Sequence, residues 1–258
     1  MQSLLTGITS ADIRTDPYPH ILVRDVMDPA VYAALSEGFP PFSKIGWDSP
    51  RPPPSNQRYQ LSACQIVDHP DMPEVWKRFT ALHSSPAFFA QVAALFRDHW
   101  PQVLLRHLGG SLLGHSMGLF LRDNDKGLRI LQDARIEINT PVTAGPSSSR
   151  GAHLDTPNRL FTGLLYLRHP DDDAVGGDLE LFRWTRGPVG PLDSYRLPDD
   201  AVEVVATIPY RANQLVMFPQ GLNAIHGVGI RQPTPHTRRY VFISAELGED
   251  WLTLPEAP

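Results

Sequence analysis

The chain has 258 residues, 41% of them hydrophobic and 20% charged, which is enough for one sizeable core. A formal net charge of -5 argues against nucleic acid or an anionic membrane as a partner. The one cysteine, Cys64, excludes an intrachain disulfide and a cysteine metal site. Residues 1–16 show no secretory signal, and no apolar stretch approaches the ~20 residues of a membrane span. We therefore expect a cytoplasmic protein, while its oligomeric state stays open.

The first half of the chain mixes predicted helices with irregular segments. Residues 17–23 indicate a short strand. The pair Asp28-Pro29 supplies an N-cap and a first-turn proline and predicts a helix. The proline-rich residues 42–59 predict an irregular loop. Ser85-Pro86 repeats the helix start signal before an apolar pattern over residues 88–100.

Short strands dominate the predicted second half. Clusters of Gly, Pro, Asn and Asp separate the strand candidates, which are residues 135–139, 160–167, 179–184, 202–208, 214–218 and 239–244. Several short strands at this spacing suggest a sandwich or a barrel. The polar segment 144–152 leads straight into His153 and has the composition of a lid or of a plain surface loop.

Three His-x-Asp tripeptides occur in the chain, although ten histidines and 28 acidic residues supply roughly one His-x-acid by chance. In His69-Pro70-Asp71 and His169-Pro170-Asp171 the proline and its flanks predict solvated turns. The third, His153-Leu154-Asp155, precedes a long apolar strand. A strand places residues i and i+2 on one face, so this imidazole and carboxylate can point at one centre.

The second histidine of the site has to come from a neighbouring strand. His226 follows the strand 214–218 and a turn, and it begins a second strand. Alone, it is more typical of a hydrogen-bonded structural histidine. With His153 and Asp155 it completes a set of two imidazoles and one carboxylate, which leaves half of an octahedral iron(II) open.

These residues resemble the iron(II)- and 2-oxoglutarate-dependent dioxygenases, in pattern the prolyl-hydroxylase-like branch. The matching pieces are 153–158, 166–167, 176–182, 226–228 and 239–242. The resemblance spans about residues 130–246. It implies a mainly β fold with flanking α-helices, a double-stranded β-helix or jelly roll. We expect a single domain over 1–258, with 1–129 as helical support and lid region and 130–246 as the core.

The resemblance also implies roles for individual residues. His153, Asp155 and His226 would bind iron(II). Arg239 would pair with the far carboxylate of 2-oxoglutarate, since a guanidinium can bond a carboxylate bidentately. Tyr166 would donate its hydroxyl to the same carboxylate, although a plain core tyrosine is nearly as well supported.

Arginine assignments depend on strand register. One step along a strand reverses the face, so either Arg238 or Arg239 points inward. The family pattern favours Arg239, and Arg231 is a weaker alternative. The gap of thirteen residues from His226 to Arg239 is longer than in many prolyl hydroxylases.

Several further residues have a functional and a plainer interpretation. Asn139 could touch the co-substrate, although a turn cap at the strand end is favoured. Arg135 could line the pocket or form a surface ion pair, and Arg150 could anchor substrate or be solvated. Trp47 and Arg51 could cover the substrate or only pack on the barrel.

The implied activity is hydroxylation of an unactivated C–H bond with O₂, releasing succinate and CO₂, with ascorbate as an additional reductant. Asp155 favours hydroxylation because halogenating relatives have Gly or Ala there; desaturation and ring formation start from the same chemistry. A small-molecule substrate is favoured, an amino acid or biosynthetic intermediate, with a peptide or protein side chain as the alternative. The rivals are a cupin-like metal enzyme and a non-catalytic jelly-roll binding module.

Overall fold

The computed structural model of the chain describes residues 1–194 and 196–254. Its helices are α1 (Pro29–Glu37), α2 (Phe42–Ile45), α3 (Ala63–Val67), α4 (Glu74–His83), α5 (Pro86–Leu95) and α6 (Gln102–His107). Its strands are β1 (Ile21–Arg24), β2 (Arg58–Leu61), β3 (Met117–Leu119), β4 (Ile130–Asn139), β5 (Arg159–Tyr166), β6 (Leu179–Trp184), β7 (Val202–Ile208), β8 (Gln214–Pro219), β9 (His226–Val228) and β10 (Arg238–Leu247). None of the helices in the described ranges combines the length and apolar character needed to cross a bilayer.

Two sheets organise the strands. The larger sheet runs in the order β1-β8-β5-β10-β4-β2, with β3 pairing β4 in addition. The smaller sheet has the order β7-β6-β9. Strands β4, β5 and β8 are buried along their whole length, because one face meets the interior and the other is covered. Helices α3 and α4 pack on β4 from outside, so the sheet interior is closed off on that side.

Local signals account for the predicted helices. The Asp28 carboxylate accepts hydrogen bonds from the amides of Ala30 and Val31 and begins α1. The Ser85 hydroxyl accepts from the Phe88 amide and begins α5, which ends at Leu95 rather than continuing to residue 100. The helix start signals are therefore confirmed, and the strand candidates agree with the observed strands to within a few residues.

Two local predictions are wrong. The proline-rich segment 42–59 holds helix α2 and the start of strand β2, which is an edge strand of the larger sheet. The segment around His153 is not a strand, since its pairing is confined to one bridge between His153 and His226. Its extended backbone still alternates, so residues 153 and 155 share a side.

Helix α4 carries a buried histidine in the N-terminal core. The His83 side chain stacks near Phe79 and Phe88, and its residue is 2% exposed. Its Nε2 accepts from the Leu4 amide at 3.1 Å, and its Nδ1 lies 2.8 Å from the Phe79 carbonyl. A neutral imidazole satisfies both contacts, with Nδ1–H as donor. Burial lowers the pKa of His83 to about 4.

We expect the metal-free protein to lose stability as the pH falls from 6.5 toward 4. The unfolded chain takes up a proton at the ordinary His83 pKa of 6.5, whereas the folded chain resists protonation until about 4. The free energy of unfolding therefore keeps its full value above pH 6.5. It falls as the pH drops, by about 3 kcal/mol once the pH is below the folded-state pKa of about 4. Urea unfolding across this range measures it. His83→Gln should show a shallower slope, and an equally steep slope in the variant would contradict the assignment.

Candidate functional site

The two predicted histidines are joined through their backbones. The His153 amide donates to the His226 carbonyl at 2.9 Å, and the His226 amide donates to the His153 carbonyl at 3.0 Å. This bridge brings the segment before β5 against the start of β9. One ligand atom from each of His153, Asp155 and His226 lies within 4.8 Å of the others, and all three residues are buried. The structure therefore brings the three predicted metal ligands together.

Backbone carbonyls orient both imidazole rings. His153 Nδ1 lies 2.8 Å from the Gly151 carbonyl oxygen, and His226 Nδ1 lies 3.1 Å from that of Ala224. With Nδ1–H as donor, each Nε2 keeps its lone pair, and each Nε2 lies 3.8 Å from an Asp155 carboxylate oxygen. Fixing the outer nitrogen of a ligand histidine in this way is typical of metal sites.

The protonation states of the three residues suit a metal ion. Burial lowers the pKa of both His153 and His226, so the rings are neutral near pH 7. Burial would raise the pKa of Asp155, but His226, His153 and a hydrogen bond from the Thr162 hydroxyl hold it below its usual value. Two neutral imidazoles and one carboxylate are ligands of the kind that divalent first-row metals prefer.

The three residues line a small cavity between the two sheets. Its walls combine charged, aromatic and aliphatic side chains. Besides the three ligands they are Arg58, Glu137, Ser149, Arg150, Leu164, Tyr166, Leu179, Val228, Arg238, Tyr240 and Phe242. A concave site in which polar groups converge beside apolar and aromatic side chains is suited to a small molecule, and here the polar groups are numerous.

The arginine that faces this cavity is Arg238, and the predicted inward position of Arg239 is wrong. Arg238 is 2% exposed, and its Nε donates to the Gly177 carbonyl at 3.2 Å. Arg239 points the other way, with its guanidinium 4.7 Å from the Phe39 ring centroid. Strand β10 begins at Arg238 and places it opposite Asn139, so the face is set one residue earlier than predicted.

Three tyrosines surround the Arg238 guanidinium. Its central carbon lies 5.0, 4.7 and 4.9 Å from the ring centroids of Tyr166, Tyr210 and Tyr240. A planar guanidinium stacks on aromatic faces more readily than an ammonium does. The cage therefore fixes the Arg238 side chain at one end of the cavity.

Two polar side chains beside Arg238 make no well-formed hydrogen bond within the described residues, although one of them, Tyr166, lies close enough to the guanidinium for a weak polar contact. They are the Tyr166 hydroxyl and the Asn139 amide, and both residues are almost fully buried. The predicted turn cap at Asn139 is wrong, because its side chain makes no such bond. Burying polar groups unpaired is costly, and each such case calls for an explanation such as an absent ligand. Their clustering with Arg238 outlines an anion subsite.

The other predicted arginines differ in whether they line the cavity. Arg135 does not line it; the side chain is buried and bonds to Glu137 at 2.5 Å. Arg231 bonds to the Thr140 and His236 carbonyls and braces the loop before β10. Arg150 does line the cavity, 3.7 Å from Asp155.

The remaining predictions concern exposed segments. Trp47 lies on a neighbouring groove, 72% exposed. Arg51 is exposed and lines neither cavity nor groove. The two His-Pro-Asp motifs are partly exposed turns, as predicted, in which the amides of Asp71 and Asp171 donate to the preceding histidine rings.

Sequence reasoning missed the polar residues of the cavity floor. Glu137 is fully buried and accepts from Arg135 and from the Tyr240 hydroxyl, both at 2.5 Å. Burial raises the pKa of Glu137, but Arg135 and Arg58 outweigh that effect and keep it below its usual value. The sequence does contain a pattern that could have predicted these polar residues. In β4, residues 133, 135, 137 and 139 are polar and alternate with apolar ones.

Comparison with known proteins shows which fold the chain has. No family model and no curated protein matches the chain. Among solved structures, a prolyl 4-hydroxylase from Phytophthora capsici superposes with a TM-score of 0.51 at 15% identity, over 95% of this chain and 64% of that one. A prolyl-4-hydroxylase from Pseudomonas putida gives 0.44 at 14% identity, over 88% and 92% of the two chains. The epimerase SnoN, in complex with Fe3+, alpha ketoglutarate and nogalamycin RO, gives 0.46 at 11% identity, over 88% and 78%.

The chain thus spans a little less than two thirds of the length of the Phytophthora structure. At 15% sequence identity, the similarity shows a common fold and nothing about activity. The sheets of the chain, and the helices that cover them, follow the course of that structure over nearly the whole of the present chain. The chain has the fold of a prolyl 4-hydroxylase.

Proposed function

We propose that the protein is an iron(II)- and 2-oxoglutarate-dependent dioxygenase that hydroxylates an unactivated C–H bond of a small molecule, with release of succinate and CO₂. We further propose that residues 130–246 form a jelly-roll core, to which residues 1–129 add helices and the outer strands β1 to β3, in a single domain. One observation carries the proposal. A two-histidine, one-carboxylate trio and an arginine caged by tyrosines line one cavity, and the buried Asn139 side chain lies on the strand next to that arginine.

The donor set fits iron(II). His153, Asp155 and His226 offer two neutral imidazole nitrogens and one carboxylate oxygen, the combination found in non-haem iron(II) oxygenases with open coordination positions. Bound there, iron(II) would activate O₂ for hydroxylation of the substrate. The Thr162 hydroxyl and the two carbonyls behind the histidines would hold the ligands in place.

The anion subsite fits 2-oxoglutarate. Arg238 would bind its far carboxylate with two parallel hydrogen bonds. The Tyr166 hydroxyl and the Asn139 amide, both buried and without a well-formed hydrogen bond in the described chain, would find their partners there. A carboxylate that accepts hydrogen bonds from Arg238, Tyr166 and Asn139 would offset the cost of burying these polar groups. This favours an oxo-acid over a neutral ligand.

The remaining walls would keep water away from the reacting centre. Leu164, Leu179 and Phe242 supply the apolar surface of the cavity. Arg135 stacks on Phe242, with its guanidinium 4.3 Å from the ring centroid, and ties Glu137 to that wall. These contacts hold the Glu137 carboxylate in place beside the apolar wall.

Asp155 favours hydroxylation over halogenation, because its carboxylate occupies the position that a halide would need. Desaturation or ring closure would use the same site. A cupin-like metal enzyme without an oxo-acid, or a binding module, would leave Arg238 and its polar neighbours without a ligand.

The test is conversion of 2-oxoglutarate to succinate by protein reconstituted with iron(II) and ascorbate under air. We expect slow uncoupled succinate formation alone and faster formation when a metabolite panel contains the substrate. Mass spectrometry should then find a product heavier by one oxygen atom. The peptide alternative is tested with proline-containing peptides in the same assay. No succinate under any condition would contradict the proposal.

A further inference from the structure

Tyr18 connects the N-terminal segment of the chain to the metal ligand His226. The residue is 3% exposed and lies shortly before β1. Its hydroxyl donates at 3.2 Å to the carbonyl of Ile225, the residue that precedes His226. Tyr18 does not line the cavity of the metal ligands, so it would touch neither substrate nor co-substrate. Any effect it has on the site is transmitted by its neighbours.

Short-range contacts fix the place of the Tyr18 side chain. A proline stands on each side of Tyr18, and a following proline favours extended backbone in the residue before it. The Tyr18 carbonyl oxygen lies 2.8 Å from His20 Nδ1. Strand β1 then pairs with β8, with Ile21 opposite Met217. The residues before β1 are therefore held beside the end of β8, where Phe218 lies.

One connection from Tyr18 to His226 is aromatic. The Phe218 ring contacts both side chains: its centroid lies 5.5 Å from that of Tyr18, edge to face, and 5.0 Å from that of His226. Ring pairs attract each other at such distances. All three residues are buried, and closely packed interiors leave little room for a ring to move alone. The Tyr18 ring therefore restricts, through Phe218, the tilt of the His226 imidazole.

The second connection runs through the backbone. The Ile225 carbonyl accepts from the Phe182 amide at 3.0 Å as well as from the Tyr18 hydroxyl. A carbonyl oxygen has two lone pairs, and two donors use both. The same short stretch orients the ligand ring, since His226 Nδ1 lies 3.1 Å from the Ala224 carbonyl oxygen. A shift of the Ile225 peptide would therefore change the direction of the His226 Nε2.

The Tyr18 hydroxyl is a donor near neutral pH. Burial raises the pKa of Tyr18 well above its usual value, and the negative charge of Asp155 raises it further. A metal ion would offset the charge of Asp155, but burial, the larger cause, would remain. The phenol is thus neutral near pH 7, and its proton is available to the Ile225 carbonyl.

We propose that Tyr18 is a positioning residue for the metal ligand His226, which it reaches through the Ile225 carbonyl and the Phe218 ring. The inference rests on the proposed function, because it takes His226 to be a metal ligand. It gives the N-terminal segment a part in the geometry of the metal site, across 207 positions of sequence. Partners that orient a ligand histidine from behind affect metal affinity although they never touch the ion.

The first test compares two tyrosine variants. Tyr18→Phe removes the hydroxyl and keeps the ring. Tyr32→Phe is the matched control, because the Tyr32 hydroxyl also donates to a backbone carbonyl, that of Arg168 at 3.1 Å, and Tyr32 does not line the cavity. We expect Tyr18→Phe to weaken Mn(II) binding about three- to tenfold, the value of one hydrogen bond, and Tyr32→Phe to change it by no more than about twofold. Calorimetric titration gives both affinities, and thermal unfolding shows that both variants are folded.

A spectroscopic test separates positioning of His226 from a general loosening of the site. In protein loaded with Co(II), the unpaired electrons move the Nδ1–H proton signals of ligand histidines far outside the ordinary proton spectrum. We expect two such signals, because the Nδ1 of His153 and that of His226 each lie at a backbone carbonyl that holds the proton. Tyr18→Phe should move one signal and leave the other in place, and Tyr32→Phe should move neither. Phe218→Leu, which removes the aromatic connection and keeps the hydrogen bond, should move the same signal as Tyr18→Phe.

The outcomes separate this inference from the proposed function. If the wild type binds neither Mn(II) nor Co(II), the proposed function fails and the inference fails with it. If the wild type binds metal while Tyr18→Phe matches Tyr32→Phe in affinity and in both signals, the inference alone is wrong. Movement of both signals in Tyr18→Phe would also overturn it, because Tyr18 would then support the site as a whole. Should Tyr18→Phe not fold, Phe218→Leu decides the question by the same comparison.

Discussion

Replacing His226 with alanine is expected to weaken metal binding at least 100-fold and to abolish succinate formation. His226 supplies one of three ligand atoms in a buried site, and alanine leaves Asp155 and His153 to hold the ion alone. One ligand is worth about 3 kcal/mol of metal binding, which corresponds to at least a 100-fold weaker affinity. Calorimetric titration with Mn(II) measures the affinity, and the 2-oxoglutarate assay measures the turnover.

The chain provides a control for this experiment. His169 belongs to a tripeptide of the same His-x-Asp form, but it lies in a partly exposed turn. His169→Ala should leave metal affinity and turnover close to those of the wild type. If both alanine variants behaved alike, or if His226→Ala kept its metal, the assignment of the metal ligands would be wrong.

Replacing Arg238 with glutamine is expected to raise the KM for 2-oxoglutarate about 100-fold or more, with the metal site intact. Removing the charged partner of a buried carboxylate costs about 3–5 kcal/mol, because the remaining charge is left without compensation. Arg238→Lys should recover little, since an ammonium loses the fork geometry and the stacking on the three tyrosine rings. Steady-state kinetics against 2-oxoglutarate gives the KM.

Arg239→Gln is the matched control, one residue along the same strand. Its guanidinium packs on Phe39, outside the cavity, so the KM should change by no more than about twofold. Circular dichroism of each variant shows whether the fold is retained. The opposite ranking of the two variants would restore Arg239 as the anchor and refute the orientation described for β10.

The sequence predicted that His153, Asp155 and His226 converge because that prediction required little knowledge of the tertiary structure. Residues 153 and 155 need only an extended backbone to share a side, and His226 needs only to follow a strand and a turn. The choice between Arg238 and Arg239 depended on the exact start of strand β10, which the sequence pattern does not show. The loop of residues 229–237 sets where β10 begins, and a shift of one residue exchanges the inward and outward faces.

Arg58, which also lines the cavity, was harder to predict for a different reason. Arg58 lies in a proline-rich stretch with no strand periodicity, and it becomes a cavity residue only because β2 adds to the edge of β4. Such pairing is a tertiary event between residues far apart in sequence, and tertiary context overrides local propensity. The alternating polar residues of β4 were readable, but alternation in a strand is more typical of a solvated face than of a polar interior.

The edge position of β2 distinguishes Arg58 from the other residues that line the cavity. The metal ligands and the Arg238 cage come from paired strands and their adjoining loops, where a substitution disturbs neighbours on both sides. Arg58 lies on β2, which pairs with β4 and ends the larger sheet in the part of the chain that the structure describes. If the proposed function is correct, substitutions on this edge strand would change the cavity wall and disturb fewer packing neighbours than substitutions in the central strands.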